Sequence, residues 1–287
     1  IYLLTILELY MNFFKGKRVL VTGVSGTVGS ELVRALLADP KYDPAELIGI
    51  DQDESELFFI DQAHLADPRA HFFVANIRDG SVIDQLSKGV DIIIHAAALK
   101  HVVLCERSPM EAVQSNIIGV ENIINAALKN NVKNVIFTSS DKAVNPTNVM
   151  GTTKLMGERL ITAANSTSRL EGPVFSSTRF GNVLGSNGSV VPIFHKQIAM
   201  GGPVTLTDAE MTRFIMSIEE AVRLVLESAE LSKGGEVFIT KMPVARIKDI
   251  ADVMIEELAG RYGYTPADIK TEVIGVKPGE KLYEELM

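Results

Sequence analysis

From Arg18 to Phe180 the chain alternates short apolar runs with longer stretches of helical spacing, and this alternation leaves few folds open to it. The apolar runs occupy residues 18–22, 46–51, 71–75, 90–95, 132–139 and 173–179. Several are unbroken Val/Ile/Phe sequences, the signature of strands covered on both faces rather than on one. Between them, residues 30–38, 55–65, 81–87, 109–130 and 150–164 repeat apolar residues at helical intervals. Ser108-Pro109-Met110-Glu111 reads as a helix start, with Ser108 as N-cap, proline at the first helical position and Glu111 completing a capping box. Strand–helix alternation of this regularity predicts an α/β fold with a doubly wound parallel Rossmann sheet. Beyond Phe180 glycine and proline interrupt more often, as in Gly201-Gly202-Pro203. Two helical patterns (218–229 and 247–259) and short strands (236–240 and 271–274) predict a small C-terminal lobe there.

The 287 residues carry a formal net charge of −8, which excludes a general nucleic-acid surface because that needs a basic stripe. It does not exclude phosphate binding, since a helix N-terminus can hold phosphate with backbone N–H groups alone. One cysteine, Cys105, excludes an internal disulfide and suits a reducing, cytoplasmic setting. The histidines show no metal-ligand spacing, so no metal site is expected. Residues 1–10 are mostly apolar and precede Met11, as upstream read-through or as the stub of a longer chain. So short a run cannot span a bilayer, which takes about 20 residues, and it lacks the marks of a signal peptide. No membrane insertion is expected of this chain.

Residues 18–29 run as a strand into Gly23-Val24-Ser25-Gly26-Thr27-Val28-Gly29 and then into a helix. Gly23 permits the tight turn, Gly26 lets backbone N–H groups approach a pyrophosphate, and Gly29 permits close helix–strand packing. Ser25, Thr27 and Val28 share that turn and are assigned with the glycines to a dinucleotide. The next strand ends in Asp51, about twenty residues past the last glycine, as expected of a carboxylate that bonds the adenosine ribose hydroxyls and repels a 2′-phosphate. That favours NAD over NADP. Asn76, Ile77 and Asp79 follow the third strand, where Asp79 can reach an adenine. Ala96, Ala97 and Ala98 follow the fourth, where small residues let a cofactor lie flat. The expected organisation is an N-terminal extension (1–16), an NAD-binding domain (17–180) and a mainly substrate-binding lobe (181–287).

Thr-Gly-x-x-Gly-x-x-Gly and His95-Ala96-Ala97-Ala98 resemble the extended short-chain dehydrogenases/reductases. The segments 97–102, 139–151, 178–183, 211–214 and 278–285 resemble one subfamily, the nucleotide-sugar 4,6-dehydratases of polysaccharide biosynthesis, acting typically on UDP-N-acetylglucosamine. The resemblance implies C4 oxidation, loss of water across C5–C6 and return of hydride to C6. It implies Asp141 as the acid for the C6 hydroxyl and Lys142 as the base for the C5 proton, a role that requires a neutral amine. It places Ser140 at the C4 oxygen and Lys154 at the nicotinamide ribose. Lys154 is the lysine of the superfamily's Tyr-x-x-x-Lys, but Met150 stands where the tyrosine would be, and a thioether moves no proton. A Met-bearing branch that retains the C5 configuration matches this better than the tyrosine-bearing inverting branch. The acceptor of the C4-hydroxyl proton is thereby left open.

Lys100, Met150, Asn182, Arg213 and Glu280 are the substrate-side candidates, Arg213 because a guanidinium matches phosphate oxygens in a fork. The residues leave two other readings: a nucleotide-sugar epimerase, which normally needs the tyrosine, and a catalytically silent NAD-binding interaction protein. Helices 109–130 and 150–164 suit pairing in a homo-oligomer, as in relatives, and equally suit packing on the sheet.

Overall fold

The computed structural model describes residues 13–167 and 172–287, so the apolar opening lies outside the described residues. The expected strands form as β1 (Arg18–Thr22), β2 (Glu46–Asp51), β3 (Ala70–Val74), β4 (Ile92–His95), β5 (Asn134–Ser140) and β6 (Val174–Phe180). They are followed by β7 (Asn182–Val183), β8 (Val204–Leu206), β9 (Thr212–Met216), β10 (Val237–Ile239), β11 (Val244–Arg246) and β12 (Thr271–Val273). A seven-stranded sheet runs in the order β3-β2-β1-β4-β5-β6-β10, with all neighbours parallel. This is the doubly wound arrangement, in which strand order reverses between β1 and β4 and a crevice opens beyond their C-terminal ends.

Each face of the sheet has its own core. On one, helices Thr27–Ala38 and Ile218–Leu231 bring Leu32, Val33, Val222 and Val225 onto Val19 and Val21. On the other, Val120, Ile123 and Ile161 cover Leu20, Ile93 and Val135. A third cluster, built by Phe194, Ile198, Leu206, Ile247 and Ile255, belongs to the C-terminal lobe. The lobe is interleaved with the sheet rather than beginning cleanly at residue 181. Helix Ile218–Leu231 and β10 return to the main sheet, where β10 pairs with the outer side of β6 and covers an edge that would otherwise be open.

Two local expectations are corrected. Residues 109–130 form not one α-helix but Pro109–Val113, a π-helical turn Gln114–Ile118, and Gly119–Lys129. Ser108 and Pro109 stand at the N-cap and first turn as expected, but the capping box does not close: the Glu111 N–H goes to Ser108 O at 3.1 Å and the Glu111 carboxylate to Arg78 at 2.6 Å. Capping boxes form instead at Ser217 with Glu220, at the start of helix Ile218–Leu231, and at Thr265 with Asp268. The π turn has a tertiary cause. Within it, buried Asn116 accepts from Leu99 N at 2.8 Å and donates to Leu99 O at 2.9 Å and to Thr153 Oγ1 at 3.0 Å. It thereby ties the loop after β4 to the helix after β5. Among the described residues no helix is long and apolar enough to cross a membrane.

One buried ion pair joins the late elements. Arg179 on β6 grips Glu158 of helix Val149–Thr167 through two parallel bonds, at 2.9 and 2.7 Å, and donates to Leu286 O at 2.8 Å. Removing one partner of such a pair strands the other charge. Arg179→Met is therefore expected to lower unfolding stability by about 3–5 kcal/mol, read from the urea midpoint. A loss within the ordinary surface range would show that the pair carries no such load.

Candidate active site

The turn after β1 is built by exclusion. A Cβ on Gly29 would lie 2.0 Å from Gly23 O, and one on Gly23, at φ +76°, would lie 2.7 Å from the backbone of Ala97. Only glycine therefore allows the start of helix Thr27–Ala38 to sit this close to both strands. That helix has Gly26 as its N-cap, with no side-chain cap and no acid in its first turn. Its free N–H groups and dipole are left for an anion. A cleft of about 480 Å³ opens here, lined by Gly23, Ser25, Gly26, Asp51, Asn76 and Ile77, with Ala96, Ala97 and Ala98 along one wall. Ser25 Oγ is buried in this lining without a hydrogen-bond partner among the described residues. A pyrophosphate oxygen would give it one.

Asp51 is aimed by two backbone bonds, accepting from Ser25 N and from Asp53 N, each at 3.0 Å. Asn76 donates to Gln52 Oε1 at 3.0 Å beside it. The remaining cofactor candidates sit behind the lining. Thr27 Oγ1 accepts from Asn187 N at 3.1 Å, and Val28 packs on the core. Asp79 does not line the cleft: it caps helix Gly80–Leu86 by accepting from Ser81 N and Val82 N, and its bonds to Ser81 hold the carboxyl below its usual range. It borders a neighbouring depression together with Asn76 and Gln52.

Lys154 lies under the site, 6% exposed, donating to Thr138 O at 2.9 Å with its ammonium over the Phe137 ring. Burial lowers it to about 8. His95 stacks on the same ring, and burial, with Lys154 adding to it, holds its imidazole near 3. Its Nδ1 is bonded to Thr22 Oγ1 at 2.7 Å. Met150 is 3% exposed, in a small apolar cluster with Cys105 and Ala112.

Where β5 ends, the chain makes a single tight turn at Asp141–Ala143 that gathers the acid–base residues. Ser140 Oγ donates to Asp141 Oδ1 at 2.8 Å, and Lys142 Nζ donates to the same oxygen at 2.9 Å. Lys142 also donates to Asn182 Oδ1 at 3.2 Å and stands 3.7 Å from Glu284. Asp141 is fully buried, and its Oδ2 has no hydrogen-bond partner among the described residues. An acid, an amine and a hydroxyl thus share one desolvated network at the C-terminal edge of the sheet, where ligands of such folds bind.

The other candidates are spread around this centre. Lys100, which burial pushes down, donates to Asn187 O at 2.7 Å and so links the β4 loop to the strap that also reaches Thr27. Arg213 is 7% exposed and donates to the carbonyls of Thr212, Lys281 and Leu282, so its fork holds the segment 281–282. Glu280 keeps a buried oxygen, Oε2, that no described group bonds. Sequence reasoning missed Asn116, Asn187 and Glu284. Asn116 had a signal, as a polar residue on the apolar face of a predicted helix. No group of His, Cys, Asp and Glu that could hold a metal occurs among the described residues.

A family model described as polysaccharide biosynthesis protein matches residues 19–287. An uncharacterized membrane protein of Methanocaldococcus jannaschii is 51% identical over 276 residues, 96% of this chain and 82% of that one. A UDP-N-acetylglucosamine 4,6-dehydratase (inverting) of Campylobacter jejuni is 39% identical, over 94% of this chain and 77% of its own. A UDP-glucose 4-epimerase of Rickettsia canadensis is 37% identical, over 96% and 78%. Among solved structures, that of Pen from Bacillus thuringiensis superposes with a TM-score of 0.91 at 42% identity, covering 96% of this chain and 83% of its own.

The depressed Lys154 has a consequence for stability. Between about pH 8 and its free value of 10.5, the unfolded chain holds a proton that the folded chain has released. Stability therefore rises with pH through that window. Urea unfolding at several pH values should show this rise in the native protein and not in Lys154→Met; equal slopes would remove Lys154 as its source.

Proposed function

The chain belongs to the polysaccharide biosynthesis protein family, of the extended short-chain dehydrogenase/reductase type, and from that premise we propose that it is an NAD-dependent nucleotide-sugar 4,6-dehydratase acting on UDP-N-acetylglucosamine. The observation that carries this reading is the Ser140–Asp141–Lys142 network, with a buried Met150 at the position of the superfamily's tyrosine. Eliminating water from a sugar needs an acid at the leaving hydroxyl and a base at the neighbouring carbon. Asp141 and Lys142 offer both within one hydrogen bond.

The glycine turn, the uncapped helix start, the partnerless Ser25 hydroxyl and Asp51 fit NAD. Bound there, NAD would supply the redox chemistry, taking hydride from C4 and returning it at C6. The protein's own work is to place and move protons. With Ser140 bonded to the C4 oxygen, as the resemblance implies, its hydrogen bond to Asp141 would pass the C4-hydroxyl proton to Asp141 Oδ1, the acceptor that Met150 cannot be. Lys142, as the amine, takes the C5 proton acidified by the new ketone. Asp141 then hands its proton to the C6 hydroxyl, which leaves as water. Lys142 returns its proton to C5. The proton taken from the C4 hydroxyl thus departs in the water, and the one taken from C5 goes back. Because one amine both removes and returns that proton, it works from one face, and the C5 configuration is retained. Lys154 adds positive charge beneath the nicotinamide ribose. Lys100, Asn182, Arg213 and Glu280 border the sugar and diphosphate, and the enzyme works in the cytoplasm as a homo-oligomer.

Incubation with UDP-N-acetylglucosamine in D₂O, followed by NMR and mass spectrometry, should give a 4-keto-6-deoxy product with the C5 configuration kept. A product of unchanged mass would mean an epimerase, and an inverted C5 would assign the proton's return to another group. Lys142→Ala should abolish product while leaving NAD affinity nearly intact; parallel loss of both would undo its role. Asp51→Ala should reduce the NAD-over-NADP preference roughly tenfold or more, because it removes a like charge from the 2′-phosphate. An unchanged preference would take Asp51 out of the ribose site.

A further inference from the structure

Glu284 is a buried charge that the proposed reaction does not use. Its side chain is 2% exposed, and one oxygen, Oε2, has no hydrogen bond among the described residues. A carboxylate taken so far out of water is costly unless it meets compensating charge. It meets two lysines: Lys142 Nζ lies 3.7 Å from Oε1, and Lys281 Nζ lies 3.5 Å from Oε2. Lys281 is itself fixed, donating to Val144 O at 2.7 Å, just past the Asp141–Ala143 turn. The backbone around Glu284 is pinned on both sides by the guanidinium groups of Arg213, which is buried, and Arg179, which is partly buried. Arg213 holds the carbonyls of Lys281 and Leu282, and Arg179 holds that of Leu286. Thr212 N adds a bond to Leu282 O at 2.9 Å, and Asn145 holds the neighbouring Glu285 at 2.7 Å. Fixing an irregular segment at so many points costs conformational entropy. What the arrangement delivers to the site is one carboxylate beside the lysine.

We propose that Glu284 is a positioning residue for the reaction: carried in on the 277–287 segment, it holds the Lys142 amine between itself and Asp141 and balances the charge that amine gains on taking a proton. This rests on the dehydratase reading for its chemistry, though not for its geometry. Around Lys142 the facing charged groups are Asp141, from its own turn, and Glu284, with Lys281 behind Glu284 and the neutral amide of Asn182 on the remaining side. While Asp141 carries the proton bound for the leaving hydroxyl it is neutral, and Glu284 is then the one carboxylate left against Lys142. The proton that Lys142 takes is thus received next to a fixed negative charge, and the atoms exchanged with the sugar are unchanged.

The test is Glu284→Gln, which keeps shape and removes charge, compared with Glu284→Asp and with the native protein. In the gln variant kcat should fall about tenfold or more with KM and NAD affinity nearly unchanged, in the range expected for a group that orients a proton-transfer residue. The Asp variant should recover part of the loss. Independently of activity, the pH dependence of Lys142 acylation by acetic anhydride, followed by peptide mass mapping, reads how tightly that amine keeps its proton. Loss of the Glu284 charge should move the acylation midpoint to lower pH. An unmoved midpoint with full kcat would overturn the proposal and leave Glu284 a packing residue. A moved midpoint in a protein that converts no nucleotide sugar would uphold the positioning role and sink the dehydratase reading instead.

Discussion

Everything in this molecule is arranged around the contact between the Gly29 backbone and the carbonyl of Gly23, where not even a methyl group could stand. Because the helix can approach so closely, its first free N–H groups are presented at the crevice between β1 and β4 instead of being held off by a side chain. The same closeness forces small residues on the opposite wall. Ala97 passes within van der Waals reach of Gly23, and a larger residue there would fill the space a flat ring system needs. Charge then follows geometry. The turn carries no acid, while Asp51 stands one strand away, held by the turn's own N–H at Ser25. An acid-free turn and a carboxylate one strand away are thus set beside each other by a few backbone bonds.

The second centre depends on a different property, the removal of water. Asp141 is fully buried and shares one oxygen with both Ser140 and Lys142. In a surface setting such a pair would be worth little and would be free to drift. Here the turn after β5 fixes all three residues within a few bonds of the sheet, and the low-dielectric surroundings raise the energetic consequence of each proton's position. Met150 belongs to the same logic. A tyrosine at that position would add another titrating group, whereas the thioether contributes only packing against Cys105 and Ala112. The titratable side chains are then gathered at the end of β5.

The sheet and the cleft were legible in the residues, and the reason is local. Strands buried on both faces must be apolar throughout, so 18–22 and 46–51 announced themselves to the residue, and the glycines declare a turn that no other residue permits. Legibility failed where tertiary contacts outvoted local preference. Ser108 and Glu111 looked like a capping box until Arg78 claimed the Glu111 carboxylate. Val190-Val191-Pro192 looks unlike a helix start, yet proline is tolerated in a first turn, and Phe194 and Ile198 anchor that helix in the lobe core. The strand at 236–240 was expected, but its place was not: no local pattern says that β10 returns to the main sheet, because that is decided by its pairing with β6. Of the candidate site, Asp141, Lys142 and Lys154 were singled out by the family resemblance, whereas Glu284 was not. It sits in an acidic pair in an irregular segment, and its burial is created by arginines distant in the chain.

Those arginines show why stability and chemistry are not separable in this fold. Arg179 holds Glu158 of the helix that carries both Met150 and Lys154, and with its third bond it holds Leu286. Arg213, on the strand that leads back toward the sheet, holds Lys281 and Leu282. A guanidinium fork suits this task because it can bond several fixed acceptors in one plane and stays charged when buried. One fork ties the helix of the main sheet, and the other a strand of the three-stranded sheet, to the segment that brings Glu284 to Lys142. A disturbance that loosens either fork loosens the site in the same motion, and one that leaves both intact keeps the amine, the acid and the hydroxyl within reach of one another. The interleaving of lobe and sheet, which looks wasteful for a binding lobe alone, is what makes this shared anchoring possible.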